Sequence, residues 1–123
     1  MVQLSFTKSF ENCSQLSDKQ ILTVASVIAE NALACQNIQE YLKKHDKHPD
    51  KVFIVFCDVD RIYLTLNPDA TPEMNEDFII RTWNYGISGQ NPKALSVEWT
   101  FFCMGETGGE EYCDGNDDIV IFD

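Results

Sequence analysis

The sequence lacks the features that direct a chain to a membrane or out of the cell. It has no run of about 20 apolar residues and no basic segment leading into an apolar leader with a small-residue cleavage site. Only 6 of the 123 residues are Gly and 4 are Pro, whereas 44% are hydrophobic, which is typical of a globular chain and not of a disordered one. We therefore expect a cytoplasmic protein with a single domain over residues 1–123 and no membrane partner.

Complete metal and cofactor motifs are also missing. There is no C-x-x-C, and the one convenient histidine pair is His45-x-x-His48. The segment from Asp114 to Asp118 begins like a calcium loop, but its sixth position is Ile119 and no Glu occupies a twelfth, which leaves weak calcium binding as the alternative to a solvated loop. Acids flank the glycines of 105–109, which disfavours phosphate binding. We expect no metal and no cofactor.

Cysteines are few, odd in number and placed mostly within apolar runs, where Cys acts as a small hydrophobic residue. We expect reduced thiols, although Cys103 and Cys113 lie across an acidic hairpin and could approach each other. No cysteine has a basic neighbour that would lower its pKa, so nucleophilic catalysis is disfavoured and we expect no catalytic residue. The five cysteines are Cys13, Cys35, Cys57, Cys103 and Cys113.

Positive charge is scarce in the second part of the chain. Residues 1–51 contain six Lys and six acids, which cancel, whereas residues 52–123 contain three bases and fourteen acids, and 3 minus 14 gives the whole net charge of −11. A field of this sign repels nucleic-acid phosphates and attracts basic surfaces. The charge distribution therefore argues against direct nucleic-acid binding and favours a basic protein partner.

The first half of the chain predicts a strand followed by a long helix. Apolar and polar residues alternate over 2–7, which is the period of a half-buried strand. Ser17 and Gln20 have the spacing of a capping box, and apolar residues then recur at helical spacing. We predict a helix over about 18–44, with a kink near Gln36-Asn37.

The second half predicts a β-hairpin, a helix and two more strands. Residues 52–57 and 62–67 form the hairpin, Thr71-Pro72 starts a helix over about 72–85, and strands follow at 95–103 and 119–122. The predicted order is β-α-β-β-α-β-β, an α+β fold with a mostly antiparallel sheet of about five strands and two helices on one face. Its first six elements match the ferredoxin-like split βαβ connectivity, with an added C-terminal strand.

One short motif suggests catalysis. The segment from Phe53 to Ile62, an apolar strand followed by Asp58-Val59-Asp60, resembles the start of haloacid-dehalogenase-type phosphotransferases. The resemblance implies that Asp58 attacks phosphorus, that Asp60 acts as acid and base, and that both help hold magnesium. That family also needs a parallel doubly wound sheet, whereas here the next segment is predicted to return as a hairpin. A turn stabilised by Asp is the competing interpretation.

The acidic C-terminal segment carries the main hypothesis. Six acids lie within residues 106–118 without a Lys or Arg, and their mutual repulsion suggests that they are kept for a basic partner, a solubilising loop being the alternative. We hypothesise an inhibitor of the immunity or anti-defence type whose carboxylates mimic phosphates and block a nuclease or another nucleic-acid-binding protein, with Tyr112 as an apolar anchor. The other hypotheses are a small enzyme or ligand-binding domain using Asp58 and Asp60, and an accessory subunit that pairs through a sheet edge. The predicted partner-binding residues are Glu106, Glu110, Glu111, Tyr112, Asp114, Asp117, Asp118, Asp58 and Asp60.

Overall fold

The structure, a computed structural model, describes residues 4–10, 16–44, 53–58, 61–66, 79–103 and 110–122. Two helices and six strands lie within these ranges. In chain order they are β1 (Leu4–Phe10), α1 (Asp18–Ala34), α2 (Gln36–Lys44), β2 (Phe53–Asp58), β3 (Arg61–Thr65), β4 (Ile79–Ile87), β5 (Ala94–Cys103) and β6 (Glu110–Val120). The α+β class predicted from the sequence is confirmed, but the element order is different.

The predicted helix start is confirmed in detail. The Ser17 hydroxyl accepts a hydrogen bond from the Gln20 N–H at 3.2 Å, and the Gln20 side chain accepts one from the Ser17 N–H at 2.9 Å. This capping box satisfies two N–H groups that the first helical turn leaves without partners. Among the described residues no single helix is long and apolar enough to cross a membrane; α1 and residues 38–44 pass that test only as a pair bent by 78°.

The long helix predicted over 18–44 is two helices. α1 ends at Ala34, and Cys35 takes up an extended conformation with ψ of 122°, after which α2 begins at Gln36. The predicted kink near Gln36-Asn37 is thus a complete break one residue earlier. The break turns α2 toward the sheet, where Tyr41 meets Phe101 edge to face with ring centroids 5.5 Å apart.

The six strands form one sheet in the order β1-β2-β3-β4-β5-β6, which is also their order in the chain. β1 and β2 are parallel neighbours joined by the two helices, and the other four pairings are antiparallel. The ferredoxin-like prediction is wrong, because a split βαβ unit places another strand between its two parallel strands, whereas β1 and β2 are directly paired. The prediction of about five strands is also low by one for the described residues.

The second helix, predicted over 72–85, is wrong from Ile79 onward. Residues 79–87 form β4, which pairs with β3 on one side and β5 on the other, while residues 72–78 lie outside the described part. Thr82 continues the β3–β4 ladder with its side chain, since its hydroxyl accepts the Ile62 N–H at 2.9 Å in a fully buried position. A β-bulge follows between Thr82 and Asn84.

The core lies between the helices and one face of the sheet. α1 contacts β1, β2 and β3 near one edge and β6 at the other, so the sheet curls around it. The buried sheet residues on this face include Phe53, Val55, Ile62, Leu64, Ile80, Val97, Trp99 and Phe101. The other face also has buried positions, where Phe56 and Tyr63 stack in parallel with ring centroids 4.8 Å apart. β2 and β3 are therefore covered on both faces, as their apolar sequences indicate.

The expectation that the cysteines are reduced thiols is wrong for Cys57. Cys57, completely buried on β2, is disulfide-bonded. Cys35, at the break between α1 and α2, is a half-buried free thiol. The apolar run around Cys57 predicts its burial correctly but contains no information about its pairing.

Candidate partner-binding surface on β5 and β6

The acidic segment that the sequence predicted as a loop is a β-strand from Glu110 onward. β6 extends from Glu110 to Val120 and pairs antiparallel with β5 along its whole length, with one register shift between Phe101 and Phe102. The strand predicted at 119–122 is only the end of this longer strand. Its acids are therefore held at fixed positions of a sheet.

β6 forms despite an acidic sequence because its partner strand compensates for it. Leu95 and Ile119 are paired in register and both buried, and the buried Trp99 covers Gly115. Cross-strand pairs of this kind stabilise a sheet more than intrinsic strand propensity does. The long alternating strand predicted for β5 thus determines the conformation of β6.

Most of the predicted partner-binding residues lie on β6. Asp117 and Asp118 are exposed there. Four more of them lie where β6 runs along residues 100–103 of β5, namely Glu110, Glu111, Tyr112 and Asp114. The structure does not describe their side chains. Glu106 and Asp60 lie outside the described residues altogether.

Asp58 is not brought to this surface by the sheet. It ends β2, in register with Phe10 on one side and Arg61 on the other, and β3, β4 and β5 separate it from β6 in the strand order. The antiparallel pairing of Asp58 with Arg61 makes β2 and β3 neighbours, as the hairpin interpretation of this motif expects.

Glu98 is a surface acid that the sequence analysis did not select. It is exposed on β5 between the buried Val97 and Trp99, directly opposite Asn116 of β6. Its side chain makes no hydrogen bond or ion pair with any described residue. The alternation of β5 placed it on the solvent face, but it belongs to this surface only because β6 is a strand.

Two hydrogen bonds fix the exposed aspartates. Asp118 accepts a hydrogen bond from the Ser88 hydroxyl at 3.0 Å, and that hydroxyl accepts the Gln90 and Asn91 N–H groups in the β4–β5 turn. Asp117 accepts the N–H of Asp118 at 2.8 Å through Oδ1. These bonds reduce the side-chain freedom that a partner would otherwise have to restrict on binding.

The arrangement is a surface of carboxylates without an internal counter-charge. β5 contributes one acid and β6 contributes five, and neither strand contains a Lys or Arg. Chemically, such a surface can accept charge-assisted hydrogen bonds from Lys and Arg side chains. Glu98, Asn116 and Asp118 lie on one face of the sheet, whereas Asp117, in register with the buried Val97, is exposed on the opposite face. We refer to these four exposed residues together as the β5–β6 acidic surface.

The described residues do not have the geometry that the phosphotransferase, calcium-loop and metal-site alternatives require. The phosphotransferase resemblance implies a parallel doubly wound sheet, whereas β2 has a parallel neighbour on one side and an antiparallel neighbour on the other. The start of a calcium loop at Asp114–Asp118 is an extended strand paired with residues 96–100 of β5. Within the described ranges, no three His, Cys, Asp or Glu residues lie close enough to hold a metal ion. His45 and His48 are outside those ranges.

Comparison with protein-family models, curated proteins and solved structures finds no match to this chain.

Proposed function

We propose that the protein binds a basic protein partner through the β5–β6 acidic surface and blocks the nucleic-acid-binding surface of that partner. The observation that supports this most directly is that Glu98, Asp117 and Asp118 are all exposed on two paired strands that lack any base, with Glu98 and Asp118 on the same face of the sheet. A sheet holds these groups in a fixed geometry, so each carboxylate can meet a guanidinium or ammonium group that otherwise meets a phosphate.

The charge distribution favours inhibition over simple solubilisation. A solubilising surface needs charge anywhere on the molecule, whereas here the excess is concentrated on neighbouring strands, where like charges repel and reduce stability. The helical layer has a balanced exposed surface by comparison, with Lys19, Lys43 and Lys44 among its acids. Carboxylates concentrated in this way accelerate association with a basic surface and select against acidic partners.

A charge-reversal pair with a matched control tests the proposal. The test variant is E98K/D117K, and the control is E30K/E40K, whose acids are exposed on α1 and α2. Each changes the net charge from −11 by +4, to −7. A basic nucleic-acid-processing protein is first captured from the host lysate at low salt, and inhibition of its activity by the purified wild type and both variants is then measured.

We expect inhibition by the wild type and the control, and at least a tenfold loss of inhibition for E98K/D117K, equivalent to about 1.4 kcal/mol. The difference between the wild type and E98K/D117K should shrink as ionic strength rises, since exposed charges are screened by salt. Equal inhibition by all three proteins would exclude the β5–β6 acidic surface as the binding site. An equal loss in both variants would show that total charge, and not this surface, is what matters.

The enzyme hypothesis at Asp58 and Asp60 remains a separate prediction. It requires a magnesium-dependent phosphotransfer activity that is lost in Asp58→Asn and retained in E98K/D117K. The acidic-surface proposal expects the opposite pattern, with D58N retaining full inhibition, so the two hypotheses are separated by the same set of variants.

A further inference from the structure

The hydrogen-bond pattern of the β5–β6 ladder shows which main-chain groups of β6 face away from β5. The Ile121 N–H donates to the Lys93 carbonyl at 3.0 Å, one position beyond the Ala94–Val120 register pair. Antiparallel pairs alternate between hydrogen-bonded and non-hydrogen-bonded. In the pairs Leu95–Ile119 and Val97–Asp117 the two residues are therefore hydrogen-bonded to each other across the strands. Val120, Asp118 and Asn116 belong to the other type of pair and direct their N–H and C=O groups outward, away from β5.

Two further hydrogen bonds agree with this assignment. The Ala94 carbonyl accepts the Ser88 N–H of the β4–β5 turn at 2.9 Å, so this carbonyl faces β4 and not β6. The Asp118 N–H bonds to the Asp117 carboxylate, which requires that it point away from β5. Within the described part of the chain β6 has a strand neighbour on one side only, so these outward groups form an open edge.

An open edge of this kind is a template for another strand. At Asn116 and Val120 the main-chain groups make no hydrogen bond on the outer side with any described residue. Among the residues whose exposure the structure describes, Val120 is one of two large apolar residues with high exposure, at 61%. Main-chain pairing and an apolar contact are therefore both available at the C-terminal half of β6.

Charge decides which strand can occupy the edge. A second copy would align the five acids of one β6 with the five of another, and like charges facing each other across a strand pair are destabilising. A strand with Lys or Arg at alternate positions meets the same acids favourably. The Asp117 carboxylate can then bind a cation of the added strand. A main-chain carbonyl of that strand replaces the carboxylate as the acceptor for the Asp118 N–H.

We propose that an extended basic segment of the partner adds to β6 as a further strand, pairing with the outward main-chain groups of Asn116, Asp118 and Val120. This inference rests on the proposed function and specifies how that binding occurs. In such strand addition the main-chain hydrogen bonds supply affinity and the side chains supply specificity.

The test uses a synthetic, end-capped peptide of nine residues that alternates Val with Lys or Arg, and a second peptide of identical sequence with alternate main-chain nitrogens methylated. Both carry the same charge, but the methylated peptide cannot donate from one edge. Binding to the full-length protein is measured by titration with amide chemical shifts as the readout. The protein variants are N116P and N116A, which keep the net charge; Pro at an outward N–H leaves the β5 ladder intact.

We expect the unmodified peptide to bind wild type and N116A equally, to shift the amides of residues 116, 118 and 120, and to lose at least tenfold in affinity for N116P. The methylated peptide should bind at least tenfold more weakly than the unmodified one to the wild type, a comparison that needs no protein variant to fold. Equal binding of both peptides, with loss only in E98K/D117K, would overturn strand addition and leave the acidic-surface proposal standing. Equal binding by the wild type and E98K/D117K would overturn both. Dimerisation of the wild type through β6 at neutral pH would overturn the choice of occupant.

Discussion

The indole of Trp99 lies over the α-carbon of Gly115, its register partner on β6. A β-carbon at position 115 would overlap Cε2 and Cζ2 of that ring and lie 2.7 Å from Nε1. The ring is itself buried at 4% exposure within the core, so it has no free space to move into. Glycine at 115 is therefore what allows the acidic strand and the aromatic core to pack together.

We predict that Gly115→Ala lowers the free energy of unfolding by roughly 1 to 3 kcal/mol, the usual cost of overpacking a filled core. Thermal or urea denaturation followed by tryptophan fluorescence measures it, because Trp99 is the side chain displaced. Asn116→Ala, at the exposed neighbouring position, is the control and should change stability by no more than about 0.5 kcal/mol. A G115A protein as stable as N116A would contradict the packing described.

The Thr82 hydroxyl gives a second prediction. Thr82→Val keeps the shape of the side chain but leaves the buried Ile62 N–H without its acceptor, which costs about 1 to 3 kcal/mol. Urea denaturation measures the loss, and hydrogen exchange of the Ile62 amide should accelerate. Thr82→Ser retains the acceptor and should protect that amide. Unchanged exchange in T82V would show that the N–H has another acceptor.

The Ser88 hydroxyl connects the β4–β5 turn to β6. Ser88→Ala removes one donated and two accepted hydrogen bonds, and we expect a loss of about 1 to 3 kcal/mol in stability. Asp118→Ala removes only one of the three and should cost less. A double-mutant cycle in urea should give a non-zero coupling energy, because the two residues share a bond. Strict additivity would indicate that the Ser88–Asp118 bond contributes nothing.

The disulfide at Cys57 predicts which cysteines react with an alkylating reagent. Alkylation of the unfolded but unreduced protein, followed by peptide mapping, should modify Cys35 and leave Cys57 in a cross-linked peptide. Reduction should lower the thermal stability, since a disulfide typically contributes about 2 to 4 kcal/mol. Cys35→Ser should respond to reductant as the wild type does. Alkylation of Cys57 before reduction would show that it is a free thiol in solution.

The strongest local patterns in the sequence predicted the structure well. The capping box located the start of α1, the apolar run over 52–57 located β2, and the alternation of apolar and polar residues located β3 and β5. In each of these segments the local hydrogen bonding or periodicity agrees with the tertiary environment, which is the condition for reading structure from sequence.

β4 was missed because its signals conflict. Proline and acids before residue 79 are typical of a helix start, and the bulge after Thr82 interrupts the alternation that identifies a strand. Only Ile79–Thr82 precede the bulge, and this segment is too short to show a period of two. Its strand conformation comes from pairing on both sides with β3 and β5, which the local sequence of β4 does not reveal.

The strand conformation of β6, which carries most of the candidate surface, was missed for a different reason. Gly115 and five acids are unfavourable in strands, so propensity predicts a loop. The conformation depends on Trp99 and Leu95 of the neighbouring strand, whose contribution becomes visible only when the register is known. For the same reason Glu98 could not be assigned to the surface in advance.

The order of strands in the sheet has a consequence for how the chain folds. From β2 to β6 every strand pairs with the one that follows it in the chain, so forming each pair closes only the loop between two consecutive strands. The β1–β2 pairing instead spans residues 11–52 and encloses both helices. Loop closure of that length is the most costly step in chain entropy, and non-local contacts slow folding. We therefore expect the β2–β6 meander to assemble first, with the N-terminal strand docking late in the folding transition.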